Sequence, residues 1–258
     1  MDVQEHVEIN GAPATAEGLR VPALNNCGHF TAMQVRGGAV RGLESHLRRL
    51  AAASRELFGA EPGRELLLEH LRHALGGTAD AAVRIYVYWP EQPLVMVVVR
   101  PPAAPPSGPL RLASVPYQRP FPHIKHVGGF GQHRHRALAA QEGFDEALLT
   151  GPDGLVAETA VANIGFLRGR EVVWPEAPAL TGIAQQLLDE QLAVRGDPVS
   201  REPVRLRDIP DFDGAFVANS IGIAPVSGVD GTGVPENARV DELRELHDAV
   251  PWDRVDAA

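Results

Sequence analysis

Lys125 is the only lysine in this chain of 258 residues, and the other 23 basic residues are arginines. Arginine supplies a fixed positive charge, whereas a desolvated lysine amine can lose its proton and act as a nucleophile. Lys125 lies among prolines, glycines and apolar or aromatic residues, between Pro120 and Gly129, and not in a charged run. This setting favours an amine that does chemistry. A residual surface lysine in an arginine-rich chain is the alternative.

A second candidate group for chemistry lies between Leu155 and Phe166. Glu158 and Asn163 are its only strongly polar side chains, and the other residues are small or apolar. A carboxylate in such a place needs a partner, because a buried unpaired charge is costly. A structural glutamate capped by backbone amides is one interpretation. A site that also uses Lys125 is the other.

An amphipathic helix from Leu43 is the clearest element that could position polar groups. Five apolar residues share one face at helical spacing, namely Leu43, Leu47, Leu50, Ala53 and Leu57. His46 and Arg49 flank that face, and Gly59 with Pro62 ends the helix. A second helix is predicted from Arg64 to Leu75, before a Gly-Gly pair.

Strands and helices alternate irregularly over the rest of the chain. The predicted strands are Val3 to Ile9, a strand from Val21, and residues 26–35, 39–43, 82–89, 94–99, 110–117, 145–150, 164–167, 171–174 and 215–217. Residues 94–99 are apolar enough for burial on both faces. Further helices are predicted at 132–141, 183–194 and 236–249. The Pro-rich segment 101–109 is predicted to link a domain of residues 1–100 to one of residues 110–258.

Composition excludes several classes of protein. The single cysteine, Cys27, permits no intramolecular disulfide and favours a reducing, cytoplasmic setting. The longest apolar run, Pro93 to Val99, is too short to cross a bilayer, so a soluble protein without a membrane partner is expected. A net charge of -9 argues against general nucleic-acid binding.

Other motifs are weak. His123, His126, His133 and His135 lie close in sequence, but no cysteine and few carboxylates accompany them, so no metal site is expected. The chain contains no nucleophile elbow, Walker loop or dinucleotide fingerprint.

An ordered series of motifs runs through almost the whole chain. It comprises Phe30-Thr31, His46-Leu47-Arg48-Arg49-Leu50, Lys125, Gly143 to Leu148, Gly154 to Glu158 with Asn163-Ile164, Leu180 to Ile183, and Asn219-Ser220 before Pro225-Val226. In this order the motifs resemble the class IV aminotransferases, the fold-type IV enzymes of pyridoxal phosphate. The family includes branched-chain and D-amino acid aminotransferases and aminodeoxychorismate lyase.

The resemblance implies a two-domain α/β (α+β) fold with a small N-terminal domain, a larger C-terminal domain and pyridoxal 5'-phosphate between them. It also implies a homodimer, because family members usually form one. By the same resemblance Lys125 forms the Schiff base and carries the proton between substrate and cofactor carbons, and Glu158 faces the pyridine nitrogen. Arg49 binds the cofactor phosphate.

Further roles follow from the resemblance. The backbone amides of Ile183 and Ala184 would bind phosphate at a helix N-terminus, and Asn219 and Ser220 match a second phosphate loop. The expected substrate contacts are Phe30, Thr31 and Asn163.

The chain departs from the family pattern at three places. Residues 182–185 read Gly-Ile-Ala-Gln where the family often has Gly-Ile-Thr-Arg, so the threonine hydroxyl for the phosphate is absent. Asn26-Cys27-Gly28 replaces the usual Gly-Asp-Gly, which bears on substrate preference. The turn from Asn219 to Pro225 is short.

The expected activity is transfer of an amino group from an amino acid or amine to a 2-oxo acid. One alternative is a lyase that releases pyruvate from aminodeoxychorismate with the same lysine. Another is a non-catalytic relative that acts as a binding protein, for which Ala184 is the only indication.

Overall fold

The computed structural model describes residues 5–89, 91–106 and 108–256. These residues form two compact units. The first unit contains the described residues up to Ala104, together with Ile124–Gly128 and the described residues from Pro251. The second contains the described residues of Pro105–His123 and Gly129–Val250. A single cut in the Pro-rich segment does not reproduce this division, because both short segments of the first unit pair with its sheet.

The strands and helices are numbered along the chain. The strands are β1 (His6–Ile9), β2 (Ala12–Pro13), β3 (Gly28–Arg36), β4 (Ala39–Arg41), β5 (Ala81–Tyr88), β6 (Leu94–Arg100), β7 (Leu110–Pro116), β8 (Glu146–Thr150), β9 (Val156–Thr159), β10 (Asn163–Arg168), β11 (Glu171–Pro175), β12 (Val199–Glu202), β13 (Gly214–Asn219), β14 (Gly222–Val229), β15 (Thr232–Gly233) and β16 (Trp252–Arg254). The helices are α1 (Arg20–Leu24), α2 (Leu43–Phe58), α3 (Arg64–Leu75), α4 (Phe130–Gln141), α5 (Ile183–Arg195) and α6 (Arg239–Asp248), and Leu206–Asp211 forms a 3-10 helix.

The sheet of the first unit has the order β16-β4-β3-β5-β6-β1-β2, and all its described pairings are antiparallel. Helices α2 and α3 bury their leucines against it, which forms the core of this unit. On β3 the side chains alternate, so His29 and Thr31 share the buried face with Met33 and Val35. The strand therefore carries two polar residues into the layer between sheet and helices.

The predicted helices of the first unit are confirmed. Helix α2 ends at Gly59, which has a left-handed φ of 73° and donates its N–H to Arg55 O. Helix α3 ends in the same way at Gly76, with φ of 52°. Strand β6 is buried on both faces from Val95 to Val99, as its apolar sequence predicts.

The sheet of the second unit is mixed. Its main order is β12-β11-β10-β13-β14-β7-β8-β9, and β15 pairs with β14. The pairs β11 with β12, β14 with β7, and β7 with β8 are parallel. Helices α5 and α6 share a core with β10, β11 and β13 around Trp174, Phe216 and Leu188. The observed architecture is thus the predicted α+β class.

Several predicted elements differ from the structure. The strand predicted from Val21 is wrong, because Arg20–Leu24 forms the short helix α1. Val3 lies outside the described residues, and the first strand begins at His6. The sequence prediction also missed β2, β9, β12, β14, β15 and β16, which are short or depend on distant strands for their pairing. None of the helices in the described part of the chain has the length and apolar character that a membrane crossing would require.

Candidate active site

The first unit contains a buried polar group between β3 and α2. Thr31 is fully buried, and His46 and Arg49 lie one turn apart on α2, opposite the strand. Arg49 Nη2 donates a short hydrogen bond to Thr31 Oγ1, and Thr31 Oγ1 lies 2.6 Å from His46 Nδ1. The sequence interpretation of His46 and Arg49 as residues that flank the apolar face agrees with this placement.

Arg49 is a partly buried cation that has no acidic partner among the described residues. Desolvation lowers its pKa to about 10. Among the described residues Arg49 forms no ion pair, and its buried Nε has no hydrogen-bond partner. A guanidinium in this state favours an anion, because a buried cation is stable only when it is paired.

The segment that contains Lys125 runs beside β3. The Phe30 N–H donates to Lys125 O, and the Val127 N–H donates to Gly28 O, each at 2.9 Å. Lys125 is half-buried, and its Nζ lies 5.1 Å from the centroid of the Phe30 ring. The Phe30 ring stacks on Tyr86, with 5.1 Å between centroids. These contacts hold the amine over an aromatic face, where a cation is favoured.

Two positive charges act on the imidazole of His46. Burial, and then the charges of Arg49 and Lys125, lower the pKa of His46 well below its ordinary value. His46 is therefore neutral at pH 7. Thr31, His46, Arg49 and Lys125 are called the Arg49 cluster below.

The second unit holds the predicted carboxylate. Glu158 is buried on β9, and Arg119 Nη1 donates to its Oε1 at 3.0 Å. The Leu180 N–H reaches the other oxygen, Oε2, at 3.4 Å. A partner for Glu158 was expected from the sequence, but Arg119 was not identified as that partner. The only available signal was an arginine in the Pro-rich, apolar stretch just before Lys125.

Asn163 fixes the loop that leads into α5. Its Nδ2 donates to Leu180 O at 2.7 Å, and a Cβ on Gly182 would lie 2.0 Å from Asn163 Oδ1. Only glycine therefore fits at position 182 without displacing the amide. Helix α5 starts directly after Gly182, with no side-chain cap on its first N–H groups. These amides, including those of Ile183 and Ala184, form a potential anion site.

Asn219 ends β13 and shapes the turn to β14. Its Oδ1 accepts from the Ile221 N–H at 2.8 Å, and its Nδ2 lies 3.5 Å from Val161 O. Ser220 is half-buried in the two-residue turn. Since Val161 follows β9, Asn219 lies near the segment that carries Glu158 and Asn163.

The structure thus places the predicted residues in two groups. Phe30, Thr31, Arg49 and Lys125 are together in the first unit. Glu158, Asn163, Ile183, Ala184, Asn219 and Ser220 belong to the second. Thr31 does not fit its expected role as a substrate contact, because its side chain is fully buried and its hydroxyl is bonded to Arg49 and His46.

His29 forms a second buried polar contact on β3. Its Nε2 lies 2.8 Å from Ser54 Oγ, whereas its buried Nδ1 has no hydrogen-bond partner in the described structure. Burial, with a smaller contribution from Arg49, lowers the pKa of His29 to about 4. For metal binding, the described part of the chain contains no suitable group of three or more His, Cys, Asp or Glu residues.

Comparisons with known proteins place the chain in a family. A probable branched-chain-amino-acid aminotransferase from Rickettsia felis is 32% identical over 90 residues, which cover 34% of this chain and 31% of that protein. The match thus spans less than a third of the relative. A PLP-bound hypothetical aminotransferase from Mycobacterium tuberculosis has a TM-score of 0.82 at 21% identity, covering 96% and 98% of the two chains.

A putative 4-amino-4-deoxychorismate lyase from Legionella pneumophila has a TM-score of 0.79 at 18% identity, covering 93% and 96% of the two chains. At these identities the solved structures confirm the fold. The family profile described as Amino-transferase class IV matches residues 28–229, a range that includes Arg49, Lys125 and Glu158. The chain therefore belongs to the class IV aminotransferase family.

Proposed function

We propose that this protein is a pyridoxal-phosphate-dependent aminotransferase that moves an amino group from an amino acid or amine to a 2-oxo acid. The observation that carries the proposal is the Arg49 cluster, in which the charges of Arg49 and of the only lysine of the chain both lower the pKa of His46, and Arg49 has no acidic partner among the described residues. Family membership supports it, as does similarity to a PLP-bound aminotransferase.

The residues of the chain fit such a cofactor. The unpartnered Arg49 Nε is a donor for a phosphate oxygen. The first amides of α5, at Ile183 and Ala184, are donors without a side-chain cap, and the Asn219-Ser220 turn would supply further donors. Ala184 offers no hydroxyl, so at this position the phosphate would depend on backbone donors alone.

The chemistry divides between the cofactor and the protein. When bound, pyridoxal phosphate supplies an electron sink for the bond broken at the substrate carbon. Lys125 Nζ would hold the cofactor and then move the proton taken from that carbon. Glu158, held in place by Arg119, would keep a proton on the ring nitrogen. Phe30 and Asn163 stay as proposed substrate contacts.

Cofactor titration tests the phosphate role of Arg49. Arg49→Gln should weaken pyridoxal phosphate binding by about 10- to 100-fold, the scale of a hydrogen bond to a charged group. The neighbouring Arg48 is a matched control, since it is exposed and its Nη2 donates to Ser45 Oγ at 2.8 Å. Arg48→Gln should bind within about twofold of the parent. Equal affinities for the two variants would contradict the assignment.

Similarity to the putative lyase supports elimination as a second candidate function. Lys125 and Glu158 would serve either reaction, so the substrate decides. The expected result is that amino acids or amines alone convert bound pyridoxal phosphate to its amine form, which is the first half of a transfer. If a broad panel leaves the spectrum unchanged and aminodeoxychorismate yields pyruvate, the lyase function replaces the proposed one.

A further inference from the structure

The hydrogen bonds in the Arg49 cluster have only one consistent direction. A guanidinium contains donors and no acceptor, so Thr31 Oγ1 must accept from Arg49 Nη2. The hydroxyl hydrogen of Thr31 then needs an acceptor inside a fully buried site. His46 Nδ1, at 2.6 Å, is in the right place to accept it.

This direction fixes the tautomer of His46. If Nδ1 accepts from Thr31, the ring proton of the neutral imidazole is on Nε2. The opposite tautomer would direct two donors at Thr31 Oγ1 and leave the hydroxyl hydrogen unbonded, which is unfavourable in a buried site. A doubly protonated ring would add a third positive charge beside Arg49 and Lys125. Only the neutral tautomer with hydrogen on Nε2 gives the Thr31 hydroxyl both a donor, Arg49 Nη2, and an acceptor, His46 Nδ1.

From this geometry we infer that Thr31 and His46 are positioning residues that hold the Arg49 guanidinium for the cofactor phosphate, through a hydrogen-bond chain directed from Arg49 to Thr31 to His46. The inference rests on the proposed function, because the phosphate role of Arg49 belongs to it. Neither residue touches the cofactor in this account. Each acts through Arg49.

Packing alone gives no reason for this polar chain. Thr31 and His46 lie in a layer that also holds the apolar residues Met33, Leu47 and Leu50 and the buried His29–Ser54 pair. Apolar residues of similar volume would fill this space without desolvating a hydroxyl and an imidazole. What the polar pair adds is a defined orientation for Arg49, whose long side chain otherwise loses rotamer freedom when a ligand orders it.

The first measurement is direct and needs no change at Thr31. Nitrogen-15 NMR of the full-length protein with labelled histidine distinguishes the tautomers, and the His46 signals are assigned by their loss in His46→Gln. The expected result at about pH 7 is an unprotonated Nδ1 and a protonated Nε2 for His46. Hydrogen on Nδ1, or on both nitrogens, would overturn the inference.

The second measurement uses matched variants in a pyridoxal phosphate titration. Thr31→Val keeps the shape and removes the hydroxyl, and we expect about a tenfold loss of affinity together with a shift of the His46 Nδ1 signal. Thr31→Ser restores the hydroxyl and should bind within about twofold of the parent. Parental affinity in Thr31→Val, or the same loss in both variants, would refute a positioning role.

Arg49→Gln distinguishes this inference from the proposed function. If Arg49→Gln loses affinity for pyridoxal phosphate and Thr31→Val does not, only the inference fails. If Arg49→Gln binds like the parent, the phosphate role fails, and the inference fails with it. Should Thr31→Val not fold, the tautomer of the parent protein still decides the question.

Discussion

Removal of Arg119 should destabilise the second unit through the charge that it leaves on Glu158. The side chains of the pair are only 4% and 7% exposed, so water screens little of their interaction. The Leu180 N–H reaches Glu158 Oε2 at 3.4 Å, which is too long to replace the charge-assisted bond that Arg119 donates at 3.0 Å. Breaking one side of such a buried pair costs about 3–5 kcal/mol.

A double-mutant cycle isolates this cost. Unfolding in urea of the cofactor-free protein should show Arg119→Met destabilised by about 3 kcal/mol or more. The double variant with Glu158→Gln should lose at least about 2 kcal/mol less than the sum of the two single variants, because the charge of Glu158 is removed together with that of Arg119. Cofactor-free protein is used because a ligand that binds only the folded state would add its own stabilisation.

An exposed ion pair gives the matched control. Arg20 and Glu17 are 3.5 Å apart, with side chains 68% and 83% exposed. Arg20→Met should change the free energy of unfolding by less than about 0.5 kcal/mol. If Arg119→Met costs no more than this control, or if the costs of the two single variants simply add, the buried pair of Arg119 and Glu158 does not stabilise the unit as proposed.

Two other predictions concern packing and pH. Gly182→Ala should cost about 1–3 kcal/mol, because its Cβ would meet Asn163 Oδ1 at 2.0 Å, whereas Gly233→Ala, with open space around it, should be near neutral in the same unfolding assay. The pKa of His29 is lowered from 6.5 to about 4 in the folded protein, so folding favours the neutral ring. The contribution of His29 to the free energy of unfolding is therefore fully present above pH 6.5 and is lost on acidification toward pH 4. Between about pH 8 and pH 5 this loss is about 2 kcal/mol, and His29→Gln should remove it. An unchanged pH profile in His29→Gln would show that His29 is not the cause.

Local sequence patterns predicted the elements and side-chain positions that depend only on the spacing of neighbouring residues. The apolar periodicity from Leu43 defines α2, and Gly59 ends it because glycine adopts the left-handed conformation without strain. The same spacing places His46 and Arg49 beside the face that contacts the sheet. For the site, the single lysine and the isolated Glu158 were visible in the sequence before any contact was known.

Contacts between residues far apart in the chain could not be predicted from the sequence. Arg119 is 39 residues before Glu158, and no local pattern records that the two side chains meet. The pairing of the Lys125 segment with β3 is another example, since that segment lacks a strand pattern of its own. The strand predicted from Val21 failed for the opposite reason, because a few apolar residues there could form a strand or a helix and only the folded context decides.

The central claim is that Lys125 is the amine that carries pyridoxal phosphate. Borohydride reduction of the cofactor-loaded protein, followed by peptide mapping, tests it most directly, because reduction makes the attachment permanent. We expect one labelled peptide that contains Lys125, and no label on this peptide in Lys125→Arg. Label at the N-terminal amine alone, or no label in protein saturated with the cofactor, would contradict the account.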